Sequence, residues 1–186
     1  EESFLRRLYD GCRVSASRWG RTETWRPDGQ DFHFMRSGCH STYTAASVLR
    51  DLSDVLALVN PDTVYVTAPG DCHGDHDALG RFTTQAVAAM ENPPALYYYL
   101  IHADRTDIWP ERDAERFRLP PMAADHPLLR CAAERRPLPD GFPPAEKYSL
   151  IQSYTSQDPA AYNGYLLAFA KNDELVFRVE RLPSRT

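Results

Sequence analysis

The sequence has no long apolar run, no signal-like start and no excess of basic charge, and each absence excludes a class of protein. Mean hydropathy is −0.51, and no apolar run approaches the ~20 residues that a membrane-spanning helix needs. The first residues, Glu1-Glu2-Ser3-Phe4, lack the basic and then apolar layout of a secretory signal, and they lack an initiator Met. Formal net charge is −5, whereas nucleic-acid-binding proteins usually carry a basic stripe. We therefore expect no membrane span and no nucleic-acid partner.

Several catalytic and metal-binding motifs are also absent. The four cysteines, Cys12, Cys39, Cys72 and Cys131, show no CxxC spacing, which excludes a zinc knuckle and a thioredoxin motif. No GxSxG, P-loop or GxGxxG motif occurs. Reduced thiols are favoured over disulfides in a chain of this length, although the even number leaves disulfides open.

The composition is that of one globular domain with an irregular middle. The chain has 186 residues, of which 42% are hydrophobic and 25% charged. Eleven of its 15 prolines lie between Pro93 and Pro159, so we expect residues 103–146 to form loops with one or two short helices. Turn signals through residues 1–40 predict irregular structure with one or two short strands.

Between these regions, helix and strand patterns alternate. Apolar residues at helical spacing predict a helix over residues 44–59, capped by Ser41 or Thr42 and ended by Asn60-Pro61. The following patterns predict a strand at 63–68, a helix at 78–90 and a strand at 95–101, then helices at 148–154 and 158–171 and a strand at 175–179. This alternation predicts an α/β fold with a parallel sheet.

The loop after the first predicted strand carries the densest chemistry. Asp71, His73, Asp75, His76 and Asp77 lie within seven residues, at the strand end where open α/β sheets place their sites. Imidazoles and carboxylates are the ligands of catalytic zinc. A neighbouring carboxylate also raises the pKa of a histidine, which can then donate to an oxyanion. The alternative is a polar turn that caps the next helix through Asp75 or Asp77, which explains one Asp and neither His.

The other histidines give weaker signals. A surface or partly buried role is favoured for His33 and His40, and His126 has the setting of a loop residue. His102 ends a predicted strand and could line the same rim as the histidine-rich loop, but a structural role is favoured for a lone histidine there.

Two further groups of residues are interpreted as structural. Core or loop packing is favoured for Trp19 and Trp25, with stacking on a sugar ring as the alternative. The arginines between Arg6 and Arg26 are interspersed with acids and aromatics, and we interpret them mostly as a solvated face.

Two segments of the chain resemble the LmbE/PIG-L family of zinc-dependent de-N-acetylases. Asn60-Pro61-Asp62-Thr63-Val64-Tyr65-Val66 followed by residues 70–80 is similar to the family's strand and His-x-Asp-His motif. Lys147-Tyr148-Ser149-Leu150-Ile151-Gln152-Ser153-Tyr154-Thr155-Ser156-Gln157 is similar to its Lys…Tyr-x-Ser-Gln segment. The resemblance covers about residues 41–180, and the stretch 103–146 carries little of it.

The resemblance implies a Rossmann-like three-layer fold with a mostly parallel sheet, and it implies a role for each residue of the loop. His76 would bind zinc. His73 would be the charged imidazole that stabilises the oxyanion and protonates the leaving amine, with Asp75 orienting it and keeping it protonated. Asp71 would line the substrate entrance. The implied reaction is attack of zinc-bound water on the N-acetyl group of an N-acetylglucosamine-type sugar or glycoconjugate.

The chain departs from the family at one motif and leaves other interpretations open. The family's His-Pro-Asp-Asp segment, which supplies two zinc ligands and the general base, does not occur. We expect a missing first strand–helix unit, and so weak zinc binding and no hydrolysis by this chain alone. One alternative is a metallo-β-lactamase fold, because Asp71-x-His73-x-Asp75-His76 nearly matches its motif and His102 and His126 lie downstream. Another is a non-catalytic sugar-binding or regulatory relative.

The cellular compartment follows only from these expectations. A cytoplasmic location is expected. A secreted protein with a Cys12–Cys39 disulfide is the alternative if a signal peptide precedes the chain. Self-association into a homo-oligomer stays open.

Overall fold

A four-stranded sheet with helices on one face forms the centre of the computed structural model, which describes residues 3–11, 13–106, 108–157 and 164–183. The α-helices are α1 (Phe4–Asp10), α2 (Phe32–Ser37), α3 (Ala45–Val59), α4 (Gly74–Ala89) and α5 (Pro144–Gln152). The strands are β1 (Thr63–Thr67), β2 (Ala95–Tyr99), β3 (Ala132–Pro137) and β4 (Asp173–Arg178). Short 3₁₀ helices occur at Pro127–Arg130, Thr155–Gln157 and Tyr165–Phe169. The predicted α/β class is confirmed at this level.

The sheet has the strand order β1-β2-β4-β3 and is mixed. β1 and β2 are parallel, with Thr63 opposite Ala95 and Thr67 opposite Tyr99. β4 is antiparallel to both β2 and β3. The prediction of a mostly parallel sheet was therefore wrong. The helix–strand alternation that indicates parallel pairing stops at β2, and the Pro-rich segment after it returns to the sheet without a full crossover helix.

Helices α3 and α4 cover one face of the sheet. Val66, Leu96 and Phe177 from three different strands belong to the buried core on this face. The hydroxyls of Thr84 in α4 and Tyr98 in β2 lie 2.5 Å apart and satisfy each other inside that core. A smaller apolar cluster joins α1 to the outer side of α4 and is formed by Leu8, Ala78 and Phe82. These contacts fix α4, whose first turn carries the histidine motif.

The opposite face of the sheet packs against irregular segments. The rings of Tyr65 and Tyr97 stack there with centroids 5.3 Å apart. Trp109, Phe117 and Phe169 meet ring to ring at 5.7–5.9 Å and help to line an apolar cavity of about 350 Å³. The described Pro-rich residues therefore form a second, irregular layer rather than free loops.

The first 40 residues differ from the prediction. Two helices occur there, α1 and α2, in place of the expected short strands, and the extended segment between them makes one isolated bridge, between Glu23 and Thr42. α1 is only seven residues long, and it forms because Leu8 is buried against α4. Helices this short depend on tertiary packing, which sequence periodicity does not report.

Other boundaries also shifted. The N-cap of α3 is Thr44, whose hydroxyl accepts from the Ser47 amide at 3.1 Å, and neither Ser41 nor Thr42 takes that position. α3 ends at Asn60 in the left-handed conformation, as predicted. α4 begins four residues earlier than expected, at Gly74, so most of the histidine motif is helical.

The second half of the chain is partly as predicted. Strand β3 lies inside the segment that was expected to contain only loops and short helices. α5 starts at Pro144 rather than at 148, and β4 spans 173–178 against the predicted 175–179. Of the helix predicted over 158–171, residues 158–163 lie outside the described residues, and 165–169 form a 3₁₀ helix.

Helix α4 lies directly against the end of β1 at one glycine. A Cβ atom on Gly80 would lie 2.3 Å from the carbonyl oxygen of Thr67 and 2.8 Å from the nitrogen of Pro69. Thr67 reaches back to the same helix, because its hydroxyl donates to the His76 carbonyl at 2.9 Å. The strand end and the helix therefore touch backbone to backbone.

Candidate functional site

The candidate site lies where the parallel strands β1 and β2 end side by side. Their following loops continue the pairing, because the Ala68 amide donates to the Tyr99 carbonyl at 2.8 Å and the Cys72 amide to the His102 carbonyl at 2.9 Å. This pairing brings His102 next to the histidine motif of the β1–α4 loop. It is the carboxyl edge that the sequence predicted for the site.

Asp71 is the centre of this edge. Its side chain is fully buried, at 0% exposure. One carboxylate oxygen accepts from the His73 amide at 2.9 Å, and the other accepts from the amides of Ile101 and His102 at 3.0 Å each. Nδ1 of His76 lies 3.3 Å from Oδ1 of Asp71, although without the geometry of a hydrogen bond. Asp71 thus joins both loops and faces one imidazole.

The environment of Asp71 keeps it ionised. Burial by itself raises the pKa of a carboxyl group, but His76 and the three backbone amides outweigh it and lower the pKa of Asp71 below its ordinary value. The role predicted for Asp71, lining the substrate entrance, stays a prediction. Its burial favours an orienting role, because the carboxylate is already surrounded by protein donors.

Three histidines gather around this carboxylate, and we call His73, His76 and His102 the edge histidines. Ring centroids of His73 and His76 are 4.6 Å apart, those of His76 and His102 5.4 Å, and those of His73 and His102 5.8 Å. The structure therefore brings His73 and His76 together as the sequence predicted. It adds His102, for which a structural role was favoured.

Tyr165 completes the wall beside His102. Its ring stacks on the His102 imidazole at 5.3 Å and 17°. Its hydroxyl donates to the carbonyl of Ile101. Sequence reasoning gave no role to Tyr165, which lies more than 60 residues from the motif and has no pattern of its own. The position of His102 at a strand end was the available signal for the third histidine.

The charge balance at His73 differs from the one that the resemblance implies. Burial and the nearby His76 and His102 lower the pKa of His73 from its ordinary value of 6.5, and the negative charges of Asp75 and Asp71 oppose this without reversing it. The described chain therefore favours neutral His73 near neutral pH. The expectation that Asp75 keeps His73 protonated stays a prediction.

Asp75 is fixed by the N-terminal helix. Its Oδ1 accepts from the backbone amide of Leu5 at 2.7 Å, across 70 residues of sequence. The neighbouring Gly74 packs so tightly that a Cβ atom there would lie 2.9 Å from the Ser3 side chain. Asp75 and His73 together line one end of a cavity of about 560 Å³. Asp75 is therefore fixed in the cavity that His73 also lines, and its role in orienting His73 stays a prediction.

Asp77, the last acid of the motif, faces away from the edge histidines. Its carboxylate accepts from the Gly70 amide at 2.7 Å and from Nε of Arg81 at 2.9 Å, and it also pairs with Arg6. Asp77 is buried and holds the loop, α1 and α4 together. The N-cap of α4 is His73, so neither Asp75 nor Asp77 takes the capping position weighed from the sequence.

The remaining histidines have partners of their own, and His126 contacts the β1–α4 loop from outside the group of edge histidines. Nδ1 of His33 lies 2.5 Å from Asp51, and Nδ1 of His40 lies 2.6 Å from Asp31. His126 caps a 3₁₀ helix by accepting from Leu128, and its Nε2 lies 3.2 Å from the Gly70 carbonyl. The surface or partly buried role favoured from the sequence fits His40, whereas His33 is buried, at 6% exposure.

Zinc fits the edge in donor type. Imidazole and carboxylate oxygen are zinc ligands, and a carboxylate facing Nδ1 of a histidine is the usual arrangement that leaves Nε2 for the metal, as for Asp71 and His76. Among the described residues, no group of three or more His, Cys, Asp or Glu side chains is already placed to enclose an ion. Zinc binding by His76 thus stays a prediction.

Comparisons with known proteins give no assignment, since no family model, curated protein or solved structure matches the chain. Within the described ranges, no helix has both the length and the apolar character to cross a bilayer. Cys12 lies outside the described residues, so the Cys12–Cys39 disulfide weighed from the sequence is not tested.

Proposed function

We propose that the chain carries part or all of the active site of a zinc-dependent hydrolase that removes an N-acyl group from an amino sugar or glycoconjugate. The observation that supports this most is the set of edge histidines gathered by buried Asp71 at the carboxyl ends of β1 and β2. The resemblance of residues 60–80 and 147–157 to zinc de-N-acetylases supplies the reaction and the substrate class. A Rossmann-like, LmbE-like fold is part of the same proposal.

Each residue of the site has a task in this reaction. Asp71 orients His76 through Nδ1, which leaves Nε2 to hold the metal. When bound, zinc supplies a Lewis acid that polarises the acyl carbonyl and activates water.

His73 moves the proton in this proposal. Its lowered pKa keeps the imidazole neutral, so it can accept a proton from the attacking water and then donate that proton to the leaving amine. Asp75, fixed by the Leu5 amide, favours the charged form of His73 once the proton has arrived. This order, base first and acid second, differs from the permanently charged His73 that the resemblance implies.

The test uses the full-length product of the gene that encodes this sequence, loaded with Zn²⁺ and assayed for release of acetate from methyl N-acetylglucosaminide and from N-acetylglucosamine oligomers. We expect hydrolysis that chelation removes and that His76→Ala reduces by about 10³-fold or more, the scale of losing an essential catalytic group. His33→Ala is the matched control, because that histidine has its own carboxylate partner away from the edge.

Two outcomes would contradict the proposal. Hydrolysis that survives His76→Ala unchanged would remove the edge histidines from the reaction. A folded, zinc-loaded full-length protein that hydrolyses no N-acyl sugar would favour the non-catalytic, sugar-binding alternative. Tight stoichiometric zinc on the 186-residue chain alone would contradict the expectation that this chain binds zinc weakly.

A further inference from the structure

A groove begins at His73 and runs over the N-terminal segment. Its first part is the cavity of about 560 Å³ that His73 and Asp75 line together with Arg7, Arg18 and Trp19. A second cavity of about 410 Å³ continues from it. The two share Ser17, Trp19 and Tyr43, and the second adds Arg21 and Trp25. Each cavity has the volume of a small-molecule site, so together they can take a ligand longer than one sugar ring.

Two tryptophans form the floor of this groove and are exposed. Trp19 is 72% exposed and Trp25 is 53% exposed, so the packing role favoured from the sequence was wrong. The guanidinium of Arg18 lies 4.1 Å from the ring centroid of Trp19, and that of Arg21 lies 4.3 Å from the ring of Trp25. Each indole therefore has a cation over its ring and leaves more than half of its surface open to a flat, apolar ligand.

Among the described residues, the arginines of the groove lack the carboxylate pairs that six other arginines of the fold have. Arg6, Arg26, Arg81, Arg118, Arg135 and Arg136 each pair with a carboxylate. Within the described ranges, Arg7, Arg18 and Arg21 form no such pair. Arg7 donates to the Ala16 carbonyl at 3.2 Å. A protein of net charge −5 thus places three arginines, none paired with a described carboxylate, along one groove, whose lining also includes Asp75 at the end near His73.

The segment that carries Arg18 and Trp19 is held in shape. The Ser17 amide donates to the Arg21 carbonyl at 2.7 Å, and the Gly20 amide donates back to the Ser17 carbonyl at 2.9 Å, which closes a tight turn. Gly20 has φ +75°, a conformation that favours glycine. Beside the turn, the Ser15 amide bonds to the Tyr43 carbonyl at 2.9 Å. The groove is preformed, which lowers the entropic cost of binding.

We propose that this Arg–Trp groove binds an anionic saccharide chain, with sugar rings on the exposed indoles of Trp19 and Trp25 and carboxylate, sulfate or phosphate groups on Arg7, Arg18 and Arg21. This inference rests on the proposed function, because the groove leads to His73 and would present the N-acylated unit there. It adds to that function a substrate class, a charged oligosaccharide of several units rather than a neutral monosaccharide.

Binding is tested with two hexasaccharides that both contain N-acetylglucosamine, by calorimetry at low salt and with EDTA present. One is the hyaluronan hexamer, which has a carboxylate on every second ring, and the other is the neutral N-acetylglucosamine hexamer. We expect the hyaluronan hexamer to bind about tenfold more tightly, and we expect salt to reduce that preference.

Variants separate charge from stacking. Arg18→Gln with Arg21→Gln should remove the preference for the charged hexamer, while Trp19→Ala should weaken both hexamers by about tenfold. Arg118→Gln is the control, because that arginine is 73% exposed and already pairs with Glu111. Circular dichroism and thermal unfolding of each variant should match wild type, since the substituted side chains are exposed.

Three outcomes overturn the inference: equal affinity for both hexamers, binding that the Arg18 and Arg21 variants do not change, or tighter binding of a thymidine decamer, which would indicate a nucleic-acid platform. Because EDTA removes hydrolysis from the measurement, binding without activity in the full-length protein would contradict the proposed function alone. Activity without charge-dependent binding would contradict this inference alone.

Discussion

The molecule contains two groups of histidines with the same chemistry and opposite arrangements. In the first 51 residues, His33 pairs with Asp51 and His40 pairs with Asp31, one carboxylate for each imidazole. At the carboxyl edge of the sheet, three imidazoles lie against one another, and the carboxylate of Asp71 faces the imidazole of His76. In the first arrangement, Nδ1 of each imidazole has its own carboxylate partner. The second brings three rings together, with centroids no more than 5.8 Å apart.

The difference shows what separates a structural histidine from a candidate catalytic one. Residue type does not, because both groups consist of histidine and aspartate. The contact of imidazole rings with one another does. Burial and the neighbouring His76 and His102 disfavour a charge on His73 and lower its pKa. His33 and His40 instead each face a carboxylate of their own.

The largest expected effect separates the two groups by function. His73→Gln should reduce hydrolysis by the full-length protein about 10²–10⁴-fold, the range for loss of an acid–base group, with little change in stability. His33→Gln should do the reverse, losing about 1–3 kcal/mol of unfolding free energy with unchanged activity per folded molecule. Steady-state kinetics and denaturant unfolding of both variants give the comparison. Equal activity losses would show that the two groups do not differ in kind.

The next effect concerns the carboxylates. Asp71→Asn should lower zinc affinity by about 10–100-fold, because an amide orients the His76 imidazole less strongly than a carboxylate does. Asp51→Asn should leave zinc affinity unchanged, because Asp51 contacts His33 away from the edge. Competition with a chromogenic chelator measures both variants. If Asp71→Asn bound zinc as tightly as wild type, the role of Asp71 would be limited to holding the two loops together through their backbone amides.

The smallest effect is the pH dependence of stability that comes from Asp31, the carboxylate that pairs with His40. Burial alone raises the pKa of Asp31, but bonds from Thr24, the Phe34 amide and His40 outweigh it and lower that pKa from 3.8 to about 2. The folded state thus prefers the carboxylate, so its stabilising contribution is complete above about pH 4 and is lost as pH falls toward 2.

Asp31→Asn should therefore be less stable than wild type at neutral pH, by about 1 kcal/mol for the lost helix cap, and the gap should close as pH falls through this window. Urea unfolding at a series of pH values measures the gap. Asp71, whose pKa is also lowered, is present in both proteins, so its contribution cancels. A gap that stays constant down to pH 2 would contradict the assignment.

The segment from α3 to β2 could be predicted from the sequence, whereas strand β3 could not. α3, β1, α4 and β2 have strong local patterns, such as the β-branched run before the motif and Asn60 at the end of α3. β3, with the sequence Ala-Ala-Glu-Arg-Arg-Pro, has no apolar pattern. Its arginines find partners only in the fold, since Arg135 pairs with Asp173 and Arg136 lies over the ring of Tyr97.

The site shows the same division. The motif loop is continuous in sequence, so its two histidines were found from spacing alone. His102 and Tyr165 join them through the pairing of two loops and the return of a distant segment. The Arg–Trp groove was misread because alternating arginine and tryptophan suits both a solvated face and a binding surface. The exposure of the two indoles and the cavities beside them become visible only in the fold.

The contact at Gly80 couples the site to the next turn of its own helix. Because a Cβ atom at Gly80 would lie 2.3 Å from the Thr67 carbonyl oxygen, even a methyl group there would push α4 away from β1. His76, one turn earlier on the same helix, would then shift relative to Asp71, which is fixed to the other loop. Gly80→Ala would thus change the alignment of the His76 imidazole with the Asp71 carboxylate without replacing any polar residue of the site.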